Sequence, residues 1–109
     1  MTDKIVVMVT VGDQAEAAKL AQDLVEKKLA ACVNLVPSIT SWYRWEGKVT
    51  EDQEILLIMK TSREMFPELQ KEVERLHSYA VPEIIALPIV AGSTNYLNWI
   101  EENVKSEAV

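Results

Sequence analysis

One cysteine, one histidine, three glycines and one phenylalanine are all that this chain of 109 residues holds of those types. Each scarcity removes a class of function. A lone thiol, Cys32, cannot close an internal disulfide, so the fold does not rest on a cystine framework, and a reducing compartment suits it. With His77 as the only imidazole, no zinc-finger ligand set exists within one chain. There is no Gly-x-Ser-x-Gly elbow, no cysteine paired locally with a histidine and no phosphate loop. Gly12, standing alone after the first apolar run, reads as a turn. Cationic residues are short too: 11 Lys and Arg against 17 Asp and Glu give a net charge of −6. The longest basic run is Lys27-Lys28, so the chain lacks the footprint of a nucleic-acid binder. No stretch approaches the roughly 20 apolar residues of a membrane helix. Met1-Thr2-Asp3-Lys4, leading straight into Ile5-Val6-Val7-Met8-Val9, lacks the basic start and apolar length of a secretion signal. The expectation is a cytoplasmic protein that engages neither nucleic acid nor membrane.

What is present is apolar material, 49% of the residues, enough for a modest core in one domain spanning 1–109, with 1–3 and 105–109 expected to fray. Residues 4–11 form a nearly continuous β-branched run, as a strand buried on both faces reads. Asp13, with Glu16 three positions on, has the pattern of a capping box. Ala18, Ala21 and Val25 then recur at helical spacing with Leu24 and Leu29 beside them, and Lys27 and Lys28 fall in the last turn, where positive charge suits the helix dipole. Strand character returns over 31–45 and again over 48–61, turned around Glu46-Gly47-Lys48. Thr61-Ser62-Arg63-Glu64 supplies a cap for a second helix, along which Phe66, Leu69, Val73 and Leu76 make one apolar face; Pro67 sits in its first turns. A strand over 84–90 carries Pro88, which predicts a sheet edge or a bend. Ser93 or Thr94 caps a short final helix with Tyr96, Leu97, Trp99 and Ile100.

The order β-α-β-β-α-β with an extra C-terminal helix predicts an α+β, ferredoxin-like fold, with both long helices on one face of a four-stranded sheet. The strands nevertheless read apolar on both sides: Ile5, Val7 and Val9 oppose Val6 and Met8, and Ile55 and Leu57 oppose Leu56 and Ile58. A small sheet of this kind must bury its second face against another copy, and a closed ring does so without running into fibres. The central hairpin points the same way. Fifteen extended residues span about 50 Å, against a radius of gyration of about 13 Å for a compact chain of this size. The hairpin is therefore sharply bent, at Pro37 for instance, or overhangs its core as an aromatic-rich edge looking for a partner.

Few residues carry chemistry. Cys32, within Ala30-Ala31-Cys32-Val33-Asn34, is a buried packing thiol or a soft-metal or redox group. His77 is a cation at a helix C-terminus, or a metal ligand or proton carrier. Glu83 enters a buried strand with its charge attached, so it pairs with a cation or marks a site; Arg44 is a candidate partner, or else solvated decoration of the hairpin. Trp42, Tyr43, Trp45, Tyr79, Tyr96 and Trp99 belong to an interface, or line a ligand pocket.

Four sequence blocks carry a family resemblance. They are Leu29-Ala30-Ala31-Cys32-Val33-Asn34; Tyr43-Arg44-Trp45-Glu46-Gly47-Lys48, followed by Glu54 and Lys60-Thr61; His77-Ser78-Tyr79-Ala80-Val81-Pro82-Glu83-Ile84; and Tyr96-Leu97-x-Trp99. Over nearly its whole length the chain resembles the CutA divalent-cation-tolerance protein family. The resemblance implies a ferredoxin-like subunit in a homotrimer built in the style of the PII signalling proteins, hairpins pairing between subunits, with Trp42, Tyr43, Arg44, Trp45, Tyr79, Tyr96 and Trp99 at interfaces or clefts. It also implies a part in tolerance of copper and other divalent metals, and no enzymatic reaction. Some members have a thiol near the end of the first strand and paired histidines before the tyrosine, where this chain has Val9 and Leu76-His77. That leaves His77, Cys32 and Glu83 as the candidate ligands, drawn together across a subunit interface, for Cu(II), Zn(II) or another divalent ion. The alternative within the resemblance is a regulatory module or scaffold that takes a small ligand or a protein partner at intersubunit clefts.

Overall fold

A computed structural model describes residues 2–105. Four strands, β1 (Lys4–Val11), β2 (Cys32–Trp45), β3 (Lys48–Ser62) and β4 (Ile84–Pro88), form one sheet in the order β2-β3-β1-β4. Each neighbouring pair is antiparallel. Helix α1 (Gln14–Glu26) joins β1 to β2, α2 (Phe66–Leu76) joins β3 to β4, and α3 (Thr94–Glu102) follows β4. Ile5, Val7, Val9 and Val11 of β1 and Ile55, Leu57 and Met59 of β3 pack with Leu20 and Leu24 of α1 and Leu69 and Val73 of α2. Each large side chain so buried contributes roughly 1.5–3 kcal/mol on leaving water. A smaller cluster of Ala31, Met65, Ile100 and Val104 anchors α3. The buried Lys4 ammonium ties the same helix to β1, reaching Asp3 at 2.5 Å and Glu101 at 2.6 Å.

The helix ends depart from their predicted chemistry in instructive ways. Asp13 caps α1 by accepting from the Glu16 N–H at 2.8 Å, yet the Glu16 side chain does not return to complete a capping box. It accepts instead from the N–H and hydroxyl of Ser78, at 3.0 and 2.9 Å. Lys27 and Lys28 lie beyond the last turn of α1 rather than in it: Lys28, at φ 60°, occupies the left-handed position that glycine usually takes. No side chain caps the second helical stretch; a short 3-10 turn, Arg63–Met65, leads into it, and the Thr61 hydroxyl donates to Leu29 O at 2.7 Å. Strand β4 is a sheet edge that stops at Pro88, and Ser93 caps α3 by accepting from the Tyr96 N–H. Thr2 donates to Ile89 O, Asp3 O accepts from the Arg63 N–H and the Lys105 N–H donates to Lys28 O, so these residues are held where fraying was expected. Met1 and 106–109 lie outside the described residues.

The second face of the sheet is as apolar as the pattern predicted. Val6 and Met8 of β1 with Leu56 and Ile58 of β3 point away from the core, and in β4 Ile85 and Leu87 are 49% and 48% exposed. Of the two alternatives expected for it, the hairpin overhangs, and it also carries a bulge at Pro37-Ser38. Residues 42–49 are all exposed, so its tip overhangs the core. Its two-residue turn has positive φ at Glu46 (50°) and Gly47 (78°), the geometry that suits a tight hairpin. Lower down, Val36 faces Leu56 while Ile39 faces Glu54, so Pro37-Ser38 form a one-residue bulge with Ser38 at φ 59°. An extra residue reverses side-chain parity. Beyond the bulge, Tyr43 and Trp45 consequently share a face with Asp52, Glu54 and the open apolar side of the sheet.

Between α1 and α2, Glu72 accepts from Arg75 and Lys27, each at 2.7 Å. The Arg75 guanidinium, then the neighbouring Asp23 and the Lys27 ammonium, hold the Glu72 carboxyl well below the usual carboxylate range. A carboxyl depressed on folding stabilises the fold above its unfolded pKa, about 4.3, and loses that contribution as pH falls. Urea denaturation should therefore find Glu72→Gln less stable than the parent at neutral pH, with the gap closing as the medium is acidified below about pH 4.

Candidate functional site

Where β1 ends, the open face deepens into a cleft of about 610 Å³. The hairpin contributes Ser41, Trp42, Tyr43, Trp45, Asp52 and Glu54, β1 contributes Thr10, and the loop between α2 and β4 contributes Tyr79, Ala80, Val81 and Glu83. Parity set by the bulge turns Tyr43, Trp45, Asp52 and Glu54 to this side, and a pinned loop supplies the opposite wall.

His77 is the pin. It leaves α2 in extended conformation, at φ −75° and ψ 140°, and its side chain is fully buried. The Thr10 carbonyl can only accept, so His77 Nε2, 2.7 Å away, carries the proton and donates to it. Nδ1 is then the acceptor and takes the Tyr79 N–H at 3.0 Å. Beside it the Glu16 carboxylate holds Ser78 through two hydrogen bonds. The loop thus places the Tyr79 ring against His77, centroids 4.7 Å apart, and its hydroxyl donates to Glu54 Oε2 at 2.8 Å. Gly12 makes room for that hydroxyl, since a Cβ there would stand 3.1 Å from it; the glycine is a close approach, beyond the turn its position suggested.

Charge in the cleft has one sign. Glu54 is only 7% exposed and takes its one hydrogen bond, among the described residues, from Tyr79. Asp52 accepts from the Tyr43 hydroxyl. Glu83 is exposed and has no hydrogen bond or ion pair among the described residues; the expected pairing with Arg44 is absent, because Arg44 donates to Gly47 O within its own turn. Burial first, then the Glu54 carboxylate, push the Tyr79 phenol far above its ordinary value, so it remains a donor. Hydrogen bonding to Asp52 likewise raises Tyr43.

The candidate metal ligands are not brought together. Cys32 lies opposite Lys60, which faces Val6, whereas His77 is bound at Thr10, four residues further along β1 and about 13 Å away on that strand. Cys32 is half-buried, with its sulfur 3.7 Å from Asn34 Oδ1. Both His77 nitrogens are engaged, and the described residues contain no group of three His, Cys, Asp or Glu side chains able to hold a metal. Within one chain these residues do not fit a copper or zinc centre. Of the aromatic candidates, Trp42, Tyr43, Trp45 and Tyr79 meet in the cleft, while Tyr96 and Trp99 stack on each other on α3, centroids 5.5 Å apart. Sequence reasoning did not single out Asp52, Glu54, Gly12 or Glu16 as parts of a site. Glu54 carried the same signal as Glu83, a charge at the mouth of an apolar strand; Glu16 and Gly12 carried none, because their partners lie on a loop more than sixty positions away.

The family described as CutA1 divalent ion tolerance protein matches residues 5–103. The divalent-cation tolerance protein CutA of Thermus thermophilus is 54% identical over 98 residues, 90% of this chain and 95% of that relative. The chloroplastic CutA protein of Arabidopsis thaliana is 50% identical over 102 residues, or 94% of this chain, which spans only 56% of that longer relative. Among solved structures, the divalent cation tolerance protein of Thermus thermophilus superposes with a TM-score of 0.92 at 52% identity, covering 94% of this chain and 99% of that one. A structure from Archaeoglobus fulgidus, described as a periplasmic divalent cation tolerance protein, gives 0.91 at 43% identity, over 94% of this chain and 99% of that one.

Removing the Tyr79 hydroxyl strips a nearly buried carboxylate of its donor. Tyr79→Phe should cost roughly 1–3 kcal/mol of stability by urea denaturation, and Tyr79→Phe combined with Glu54→Leu should recover most of it, since both partners are then gone.

Proposed function

This chain belongs to the CutA1 divalent ion tolerance protein family, and on that premise we propose that it serves divalent-cation tolerance as a non-enzymatic response module. Its subunit is ferredoxin-like and its working form is a homotrimer. The antiparallel order β2-β3-β1-β4, with α1 and α2 packed on one side, supports the subunit reading. The observation that carries the trimer is the open face of Val6, Met8, Leu56, Ile58, Ile85 and Leu87, which continues into an overhanging hairpin. An apolar face of this extent is an association surface, and a ring lets every copy cover its neighbour with no face left over. We read the tolerance role as one of response, because both His77 nitrogens are engaged within their own chain, to Thr10 O and the Tyr79 N–H. His77 enters this reading as the pin of the cleft loop. We place the module in the cytoplasm; relatives bear chloroplastic and periplasmic names.

A second reading is favoured by the cleft itself: a regulatory module that takes a small ligand or a partner group there, as the lateral clefts of a ring would.

Light scattering should give three times the 12.3 kDa chain mass. The pair Ile85→Asp and Leu87→Asp should give a folded monomer by circular dichroism; a parent that stays monomeric at every concentration would remove the architecture. In calorimetric titration of chelator-treated protein with copper, His77→Ala should bind as the parent does. A loss of about tenfold or more in affinity would return the ring to the ligand set.

A further inference from the structure

We infer that the cleft is a site for an organic cation, an ammonium or guanidinium group carried either by a small molecule or by a second copy of this chain. The inference rests on the reading of the cleft as a ligand site and adds the chemical class of what enters it.

Three observations converge. First, the lining holds Asp52, Glu54 and Glu83 and not one Lys, Arg or His. Glu54 is nine-tenths buried, and its one hydrogen bond among the described residues comes from a neutral phenol. A carboxylate so far removed from water, with no cation beside it, is an incomplete arrangement that a positive group would complete. The crevice between α1 and α2, about 510 Å³, makes the contrast: its acids Glu26, Glu68 and Glu72 share the lining with Lys27, Lys71 and Arg75, so its charge is already balanced.

Second, the remaining walls are aromatic. Tyr43, Trp45 and Tyr79 line the same space with Trp42 at its rim, and ring faces attract cations. Each tyrosine hydroxyl is tied to a carboxylate, Tyr43 to Asp52 and Tyr79 to Glu54, which holds both rings in place with their donors already spent.

Third, the chemistry suits an organic cation better than a bare metal ion. A hard divalent cation needs several oxygen ligands to replace its hydration shell, whereas the described residues offer no three-donor group and four of the eleven lining residues are tryptophan or tyrosine. Indole faces do not replace water around a small dication, but they do receive a large, weakly hydrated ammonium or a planar guanidinium. If the group belongs to a second copy, Arg44 and Lys48 at the exposed hairpin tip are the cations placed to reach a neighbour.

The test uses the full chain, titrated with tetramethylammonium and propylammonium chloride at constant ionic strength and read at the indole NMR signals of Trp42 and Trp45, with Trp99 as internal reference. A saturable shift confined to Trp42 and Trp45 is expected, with tert-butanol, the neutral analogue, giving none. Glu54→Gln keeps an acceptor for Tyr79 and should weaken the response about tenfold; the exposed Glu83→Gln repeats the test if the first variant does not fold. Parallel light scattering separates the sources: a mass that falls during titration assigns the cation to a second copy, and a constant mass assigns it to a small molecule. A response to tert-butanol equal to that of the ammonium ions overturns the cation class while leaving the cleft a ligand site. With acetate as a further probe, a response to it alone also overturns the cation class, and silence toward all of these probes overturns both.

Discussion

Strands β1 and β3 are apolar on both faces, and α1 and α2 occupy only one of them. That constraint organises the rest of the molecule. On the covered side, Val7, Val9, Leu57 and Met59 are fully buried beneath Leu20, Leu24, Leu69 and Val73, and this packing gives the subunit its own core. On the other side, Met8 faces both Ile58 and Ile85, and Val6 faces both Lys60 and Leu87, so a band of side chains crosses the sheet with little over it. A sequence that wanted a solvated outer face would alternate polar residues along these strands. This one does not, and the cost of exposing that band favours association.

Two local devices turn this surface into a site. One is the bulge at Pro37-Ser38, which inverts the parity of the hairpin and brings Tyr43 and Trp45 to the face that holds Asp52 and Glu54. Without the extra residue those rings would stand on the opposite side. The other is the loop after α2, held by His77 on the Thr10 carbonyl and by Glu16 on Ser78, which carries Tyr79 over Gly12 to Glu54. The buried imidazole has no spare nitrogen for a metal in this arrangement. Its work is geometric, and the acid it helps to position, Glu54, is the most deeply placed charge in the cleft.

Much of the fold was legible in the sequence because it depends on neighbours along the chain. The two-sided strands announced themselves as unbroken apolar runs, Phe66 to Leu76 as a 3.6-residue stripe, and the hairpin by Glu46-Gly47 between aromatic arms. The helix ends were less legible: Glu16 had the right spacing for a capping box but was captured by Ser78, and Lys28 took a left-handed turn that composition assigns to glycine. A local motif offers a hydrogen bond, and a distant donor can outcompete it.

The site divides along the same line. Sequence by itself determined the element order, the overlong aromatic hairpin, the excess of acid and the second apolar face, since each follows from residue type and periodicity alone. Only the tertiary structure decided that Tyr79 reaches Glu54, that Glu83 stands apart from Arg44, and that His77 and Cys32 do not meet. Those outcomes depend on strand register and on contacts between residues distant in the chain, and a one-residue bulge is enough to send a side chain to the other face.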